Sequence, residues 1–218
     1  MKSALLLSAA AVAALSLAAC NKPASTTAAD ATDATKSAAS DAASTTGAVN
    51  KAEDATGAAV GAASATTVGP HDTAAFVSNA SQSDMYEIQA AQIAEKRSKN
   101  PDIKAFAKMM VKDHTATSAA LGPIAKAAGQ TPADKLDDRR QGFIDHLNKA
   151  SDADFDKVYV DQQVAAHKEA LDLMNGYAKD GSDASLKDAA GKTAPEVQMH
   201  LDKITGIQTA MANAKTSG

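Results

Sequence analysis

The sequence predicts an all-α protein: an antiparallel four-helix bundle with a short extra helix between the second and third long helices. Three observations predict it. From about residue 72 onward apolar residues recur at helical spacing, and no strand-like alternation interrupts them. Helix breakers divide this region into four long segments and one short one. The connections between long segments are short, which makes neighbouring helices antiparallel.

The first long helix is expected from Asp72 or Thr73 to about Ser98, with Asp72 as N-cap. Asn100-Pro101 ends it and puts proline at the first position of the second helix. That helix carries Ile103, Phe106, Ala107, Met110, His114, Leu121, Ile124 and Ala128. Gly122-Pro123 is expected to kink it, and Gly129 to stop it. The short helix is placed at about Asp134 to Lys149, with Phe143 and Leu147 on its apolar side. Ser151 followed by Asp154 resembles a capping start for the third long helix, which runs to about Lys179 before Gly181. The fourth runs from about Asp183 to Ala212 and contains Pro195 four residues after Gly191. Each long helix has about 26–30 residues and is roughly 40 Å long. With 3% aromatic residues and no Trp, the core must be built of Ala, Leu, Ile, Val and Met.

Ahead of this domain, assigned to residues 71–214, the chain has two other parts. Residues 1–19 read as a lipoprotein signal peptide: Met1-Lys2-Ser3, an apolar run from Ala4 to Ala19, and Leu17-Ala18-Ala19-Cys20 at the cut. Cys20, the sole cysteine, is the expected lipidation site. A membrane-spanning helix is the first alternative, but the 16-residue run is shorter than the roughly 20 a span needs. A secreted protein with Cys20 left as a free thiol is the second, and an exposed thiol in an oxidising envelope is a liability. Asn21 follows Cys20, without the Asp that commonly retains bacterial lipoproteins in the inner membrane. The expected location is the bacterial cell envelope, as an outer-membrane lipoprotein facing the periplasm, with the membrane as partner through the lipid. Residues 20–70 are mostly Ala, Thr, Ser, Asp and Gly with no aromatic, Leu or Ile, and read as a flexible tether spanning about 40 Å.

Composition removes some functions. Formal net charge is −4, and loss of residues 1–19 takes Lys2 and no acid, so the mature chain is near −5. That argues against a nucleic-acid partner. No cysteine follows Cys20, so the domain has neither a disulfide nor a thiolate metal site within one chain. No Gly-rich phosphate loop, nucleophile elbow or HExxH motif is present, and no catalytic residue is assigned.

The informative positions are polar residues inside apolar stripes. The third long helix reads Val160, Val164, His167, Leu171, Met174, and the fourth reads Leu186, Ala190, Thr193, Val197, His200, Ile204, Ile207. In the second, His114 continues the line from Met110 toward Leu121. In the first, Phe76, Ala80, Ser83, Glu87 and Ala91 turn Glu87 inward. Each of the four lies about 13–17 residues into its helix, so antiparallel packing brings them to one level. Asp113, Glu169 and Glu196 lie one to four residues away and are candidate orienting partners.

Glu87, His114, His167 and His200 therefore form a candidate site for a transition metal such as zinc, iron or copper. A di-iron centre of the ferritin kind is short of carboxylates here: no Glu lies three before His114, and Glu196 lies four before His200. The competing reading is structural. Buried histidines bonded to one another, Tyr159, Gln162 or Asp113 would hold the helices in register. His71 at the tether junction and His146 on the short helix are expected to be exposed, and Met109, Met110 and Met199 to serve packing.

Several of these residues also carry a resemblance. Phe76-Val77 with Ala80, Met85-x-Glu87, Phe106-Ala107-x-x-Met110-Val111-x-Asp113-His114, Phe155-Asp156-x-x-Tyr159, His167, and Pro195 with His200 resemble the domain of unknown function 4142 family over about residues 72–210. The resemblance implies a ferritin-like four-helix fold and a bacterial envelope protein of the kind labelled outer-membrane, though no barrel strands occur here. It implies no activity. The leading functional expectation is a non-enzymatic envelope or stress-related protein with no certain cofactor and an unknown protein partner. The alternative is a metal-binding or metal-dependent redox protein using the histidine layer.

Overall fold

The computed structural model describes residues 72–216. The signal peptide, Cys20, the tether and His71 lie outside the described residues. Those that are described form an all-α domain of five helices with no strand among them: α1 Thr73–Arg97, α2 Pro101–Ala127, α3 Asp138–Lys149, α4 Phe155–Asp180 and α5 Ala184–Thr216. None of these helices is long and apolar enough to cross a membrane.

Local chemistry sets the ends. Asp72 caps α1 by accepting from the Ala75 N–H at 3.0 Å, and Lys96 and Arg97 sit at its negative C-terminal end. Asn100 caps α2 through the Asp102 and Ile103 N–H groups, with Pro101 in the first turn. Gly129, at φ 72°, takes the left-handed conformation that closes the end of α2. Helix α3 begins four residues later than expected. Asp137 caps it by accepting from the Arg140 N–H, while the chain ahead is held on α1 by Ala133 N–H to Ser81 Oγ and Asp137 N–H to Gln82 Oε1. Ser151 and Asp154 bond each other in the turn before α4, but Asp154 gives that helix no side-chain cap. Asp183 caps α5 through the Leu186 N–H, and α5 runs four residues past the expected Ala212. Pro123 and Pro195 lie inside continuous helices.

The main packing pairs are α1 with α2, α4 with α5, α1 with α4, and α2 with α5, while α3 lies against α1 and α4. Contacts along the helices fix their directions. Thr73 Oγ1 lies 2.9 Å from the Tyr177 hydroxyl, and Tyr86 donates to Gln162 Oε1 at 3.1 Å, so α4 runs opposite to α1. Asp113 meets His200 and Met109 meets Lys203, so α5 runs opposite to α2. Arg97 ties the end of α1 to the end of α3, donating to the Leu147 and Ala150 carbonyls at 2.6 and 2.7 Å beneath the Phe155 ring.

The apolar core falls into two clusters. One is built on Tyr86, Ala90, Ile103, Phe106, Met110, Leu147, Phe155, Val160 and Ile204. The other is built on Phe76, Ala80, Met174, Tyr177, Leu186, Ala190 and Val197. Every long helix passes from one cluster to the other, and each crosses the boundary at a buried polar residue. These are Asp84 and Glu87 on α1, His114 on α2, Gln163 and His167 on α4, and His200 on α5. The polar residues thus form one layer at mid-length.

Candidate metal centre

The helical repeat carries each histidine inward. His114 is one turn after Met110, His167 follows Val164 by three positions, and His200 follows Val197 by three. Each of these apolar neighbours is buried, so each imidazole inherits the same inward face. The side chains of His167 and His200 are 2% exposed and that of His114 is 8%. Their ring centroids form a near-equilateral triangle with sides of 6.1, 5.6 and 5.6 Å. The Phe106 ring closes one side, with edge contacts to His167 and His200.

Each ring is held by a group that only accepts hydrogen bonds. His114 Nδ1 lies 2.8 Å from Asp84 Oδ1. The Asp84 carboxylate also accepts from Thr117 Oγ1 at 3.0 Å and Ser118 Oγ at 3.1 Å. His167 Nδ1 lies 2.8 Å from the Gln163 carbonyl oxygen, and His200 Nε2 lies 3.3 Å from Asp113 Oδ2. Facing an acceptor, those nitrogens carry the proton in the neutral ring. The lone pairs then fall on His114 Nε2, His167 Nε2 and His200 Nδ1. These three nitrogens are buried and have no hydrogen-bond partner. One nitrogen from each ring lies within 4.8 Å of the other two.

The electrostatics keep two of the rings neutral. Burial, reinforced by the neighbouring His114, lowers His167 from 6.5 to about 3, and burial and His114 also lower His200. Burial opposes protonation of His114 as well. There the Asp84 hydrogen bond and the charges of Glu87 and Asp84 win, and its pKa is raised. Burial pushes Glu87 up to about 7, against the pull of His114 and Gln163. Burial and the adjacent Glu87 likewise raise Tyr159 well above its ordinary range.

The structure distributes the remaining sequence candidates unevenly. Glu87 lies in the polar layer, with Oε1 3.9 Å from His167 Nδ1 and Oε2 unpartnered. It borders the outer side of the His167 ring, outside the nitrogen cluster. Asp113 holds His200, and Asp113, Glu196 and His200 form a second group with ligand atoms within 4.8 Å. Glu169 departs from expectation. Two residues beyond His167 on the helix, it points elsewhere and pairs with Arg139 at 2.7 Å and Arg140 at 3.5 Å. Tyr159 and Gln162 are not partners of His114, His167 or His200: the Tyr159 hydroxyl is unpartnered and Gln162 accepts from Tyr86. His146 is half-buried rather than exposed, with Nδ1 3.5 Å from Gln162 Nε2.

Asp84 and the Gln163 carbonyl were not singled out from the sequence. Asp84 had a readable signal: it lies three residues before Glu87, on the same helix face. The carbonyl had none, because a backbone oxygen leaves no mark in residue identity.

The family model described as a domain of unknown function (DUF4142) matches residues 57–207, which include every residue of this layer. The match begins ahead of α1, inside the stretch read as a tether. Comparison with curated proteins and with solved structures returns no significant match. With more than half of its length matched, the chain belongs to the domain of unknown function (DUF4142) family.

Proposed function

We propose that this is a lipid-anchored bacterial envelope protein whose domain, an antiparallel four-helix bundle of the ferritin-like kind, binds a transition-metal ion on His114 Nε2, His167 Nε2 and His200 Nδ1. The observation that carries the reading is the direction in which the three rings spend their protons. A purely structural layer would pair the inward-facing nitrogens of its imidazoles as well as the outward ones. Here each ring, in its neutral form, donates outward, to Asp84, Gln163 or Asp113. With His114 neutral, as a metal ligand must be, three lone pairs are left at the centre with no donor. Acceptors cannot satisfy acceptors, and each unmet buried group costs about 1–3 kcal/mol. A cation offsets all three at once.

The donor set fits the ion. Neutral imidazole suits zinc, copper and iron, and an outward N–H bonded to a carboxylate or carbonyl is how metal-binding histidines are oriented. Tetrahedral bonds of about 2.0–2.1 Å put ligand nitrogens roughly 3.4 Å apart. Nitrogens already within 4.8 Å of one another reach that spacing by small ring rotations. Three protein ligands leave a fourth position, the arrangement of metal sites that bind water or a further ligand. The lipid anchor rests on Leu17-Ala18-Ala19-Cys20, and the outer-membrane, periplasm-facing placement on Asn21 after it.

The test is thermal melting of the purified full chain with zinc, copper(II) or iron(II). At about 100 times the dissociation constant, a bound ion stabilises the fold by roughly 2.7 kcal/mol. His114→Ala, His167→Ala and His200→Ala should each remove that gain. A flat response of the unmodified protein to every metal at neutral pH would refute metal binding and leave a structural polar layer.

A further inference from the structure

We infer that the protein has a second cation position, formed by Asp113, Glu196 and His200 Nε2, so that the His200 imidazole bridges two metal ions. The inference rests on the inner site proposed above. His200 is the only residue common to the two groups whose ligand atoms lie within 4.8 Å of one another. Its two nitrogens face opposite ways: Nδ1 is buried and unpartnered, and Nε2 lies 3.3 Å from Asp113 Oδ2. That separation is at the long limit for an N–H···O hydrogen bond, and the side chains of Asp113 and His200 are only 13% and 2% exposed.

The helices bring the three ligands together. Glu196 is one turn before His200 on α5, and Asp113 precedes His114 on α2, so both carboxylates stand where α2 and α5 meet. A cavity of about 20 Å³ lies there, with Asp84, Asp113, His114, Thr117, Glu196 and His200 among its lining and Met174 and Val197 on its apolar side. That is room for one water or one bare ion, and too little for an organic ligand. Two carboxylates and an imidazole suit a divalent cation of the same transition series as the inner site. The cationic groups nearby are few. Lys112, 84% exposed, contacts the other Asp113 oxygen at 3.2 Å, and Lys203 acts on His200. Asp113 Oδ2 therefore stays directed at His200. When the outer ion binds, it replaces the Nε2 proton, which leaves to solvent past the two carboxylates.

Copper(II) chloride titrated into the full chain tests this, with bound metal counted after gel filtration and the copper EPR signal integrated. The unmodified protein should retain two equivalents, with fewer than two spins per chain because bridged ions couple. Glu196→Gln should retain one equivalent, with one full spin. His167→Ala should weaken the inner ion while the outer group persists. One equivalent in the unmodified protein, unchanged by Glu196→Gln, would overturn the outer position and leave the inner site intact. Two equivalents with two full spins would overturn the bridge. No bound metal in any form would overturn the inner site and the inference together.

Discussion

His114 Nδ1 lies 2.8 Å from Asp84 Oδ1, with both side chains nearly buried. Thr117 and Ser118, one turn beyond His114, donate to the same carboxylate. Asp84 therefore joins α1 to α2 and turns His114 Nε2 toward the centre of the layer.

Replacing Asp84 with Ala should act twice. The metal-free protein should lose on the order of 1–3 kcal/mol, because three donors lose their acceptor. Metal affinity should fall by about 10–100-fold, the usual effect of losing a carboxylate behind a ligating histidine. Denaturant melts and metal titrations read the two separately. Stability lost with affinity unchanged would show that Asp84 only holds the helices together.

Glu87 gives a pH signature to the metal-free protein. Its carboxyl is raised from 4.5 to about 7, so its contribution to stability is present below about 4.5 and lost as pH rises through about 7. The loss is on the order of 3 kcal/mol, at 1.36 kcal/mol per pKa unit. His167 runs the other way: lowered from 6.5 to about 3, it costs stability as pH falls through that interval. Between about 4.5 and 6.5 the two slopes oppose each other. Glu87→Gln should therefore melt higher than the unmodified protein above pH 7, with the gain gone below about pH 4.5. Parallel melting profiles at all pH values would contradict the buried, protonated carboxyl.

Gly181 supplies a control distant from the layer. A Cβ there would stand 2.5 Å from Tyr177 Cε1 and 2.6 Å from the Tyr177 carbonyl oxygen. Tyr177 cannot yield freely, since it stacks on Phe76 at 3.9 Å and bonds Thr73. Gly181→Ala should destabilise by about 1–3 kcal/mol through overpacking. Metal stoichiometry should not change, and a loss of metal in a folded variant would mean that the site depends on the far end of the domain.

Anchoring is tested by Cys20→Ser. Palmitate labelling should disappear and the protein should leave the membrane fraction. Labelling equal to that of the unmodified protein would rule out lipidation at Cys20.

Much of this domain was legible because its signals are local. Asp72, Asn100-Pro101, Gly129 and Gly181 each act through the backbone of their own few residues, and the helix limits follow them closely. The histidine layer was legible for a related reason: an imidazole within an apolar stripe must share the stripe's direction. What escaped was set by tertiary contact. The start of α3 depends on Ser81 and Gln82 gripping the chain from α1. Glu169 turned to Arg139 and Arg140, a choice fixed by where α3 packs. The tautomers of the three rings depend on acceptors brought from other helices or from the backbone, and the proposal of a ligand set rests on those tautomers.

Metal binding by the histidine layer is tested most directly by anomalous scattering from crystals of the full chain grown with zinc. A peak is expected about 2.0–2.1 Å from each of His114 Nε2, His167 Nε2 and His200 Nδ1. Zinc-grown crystals with no peak among those nitrogens, and water or direct ring-to-ring hydrogen bonds in its place, would contradict it.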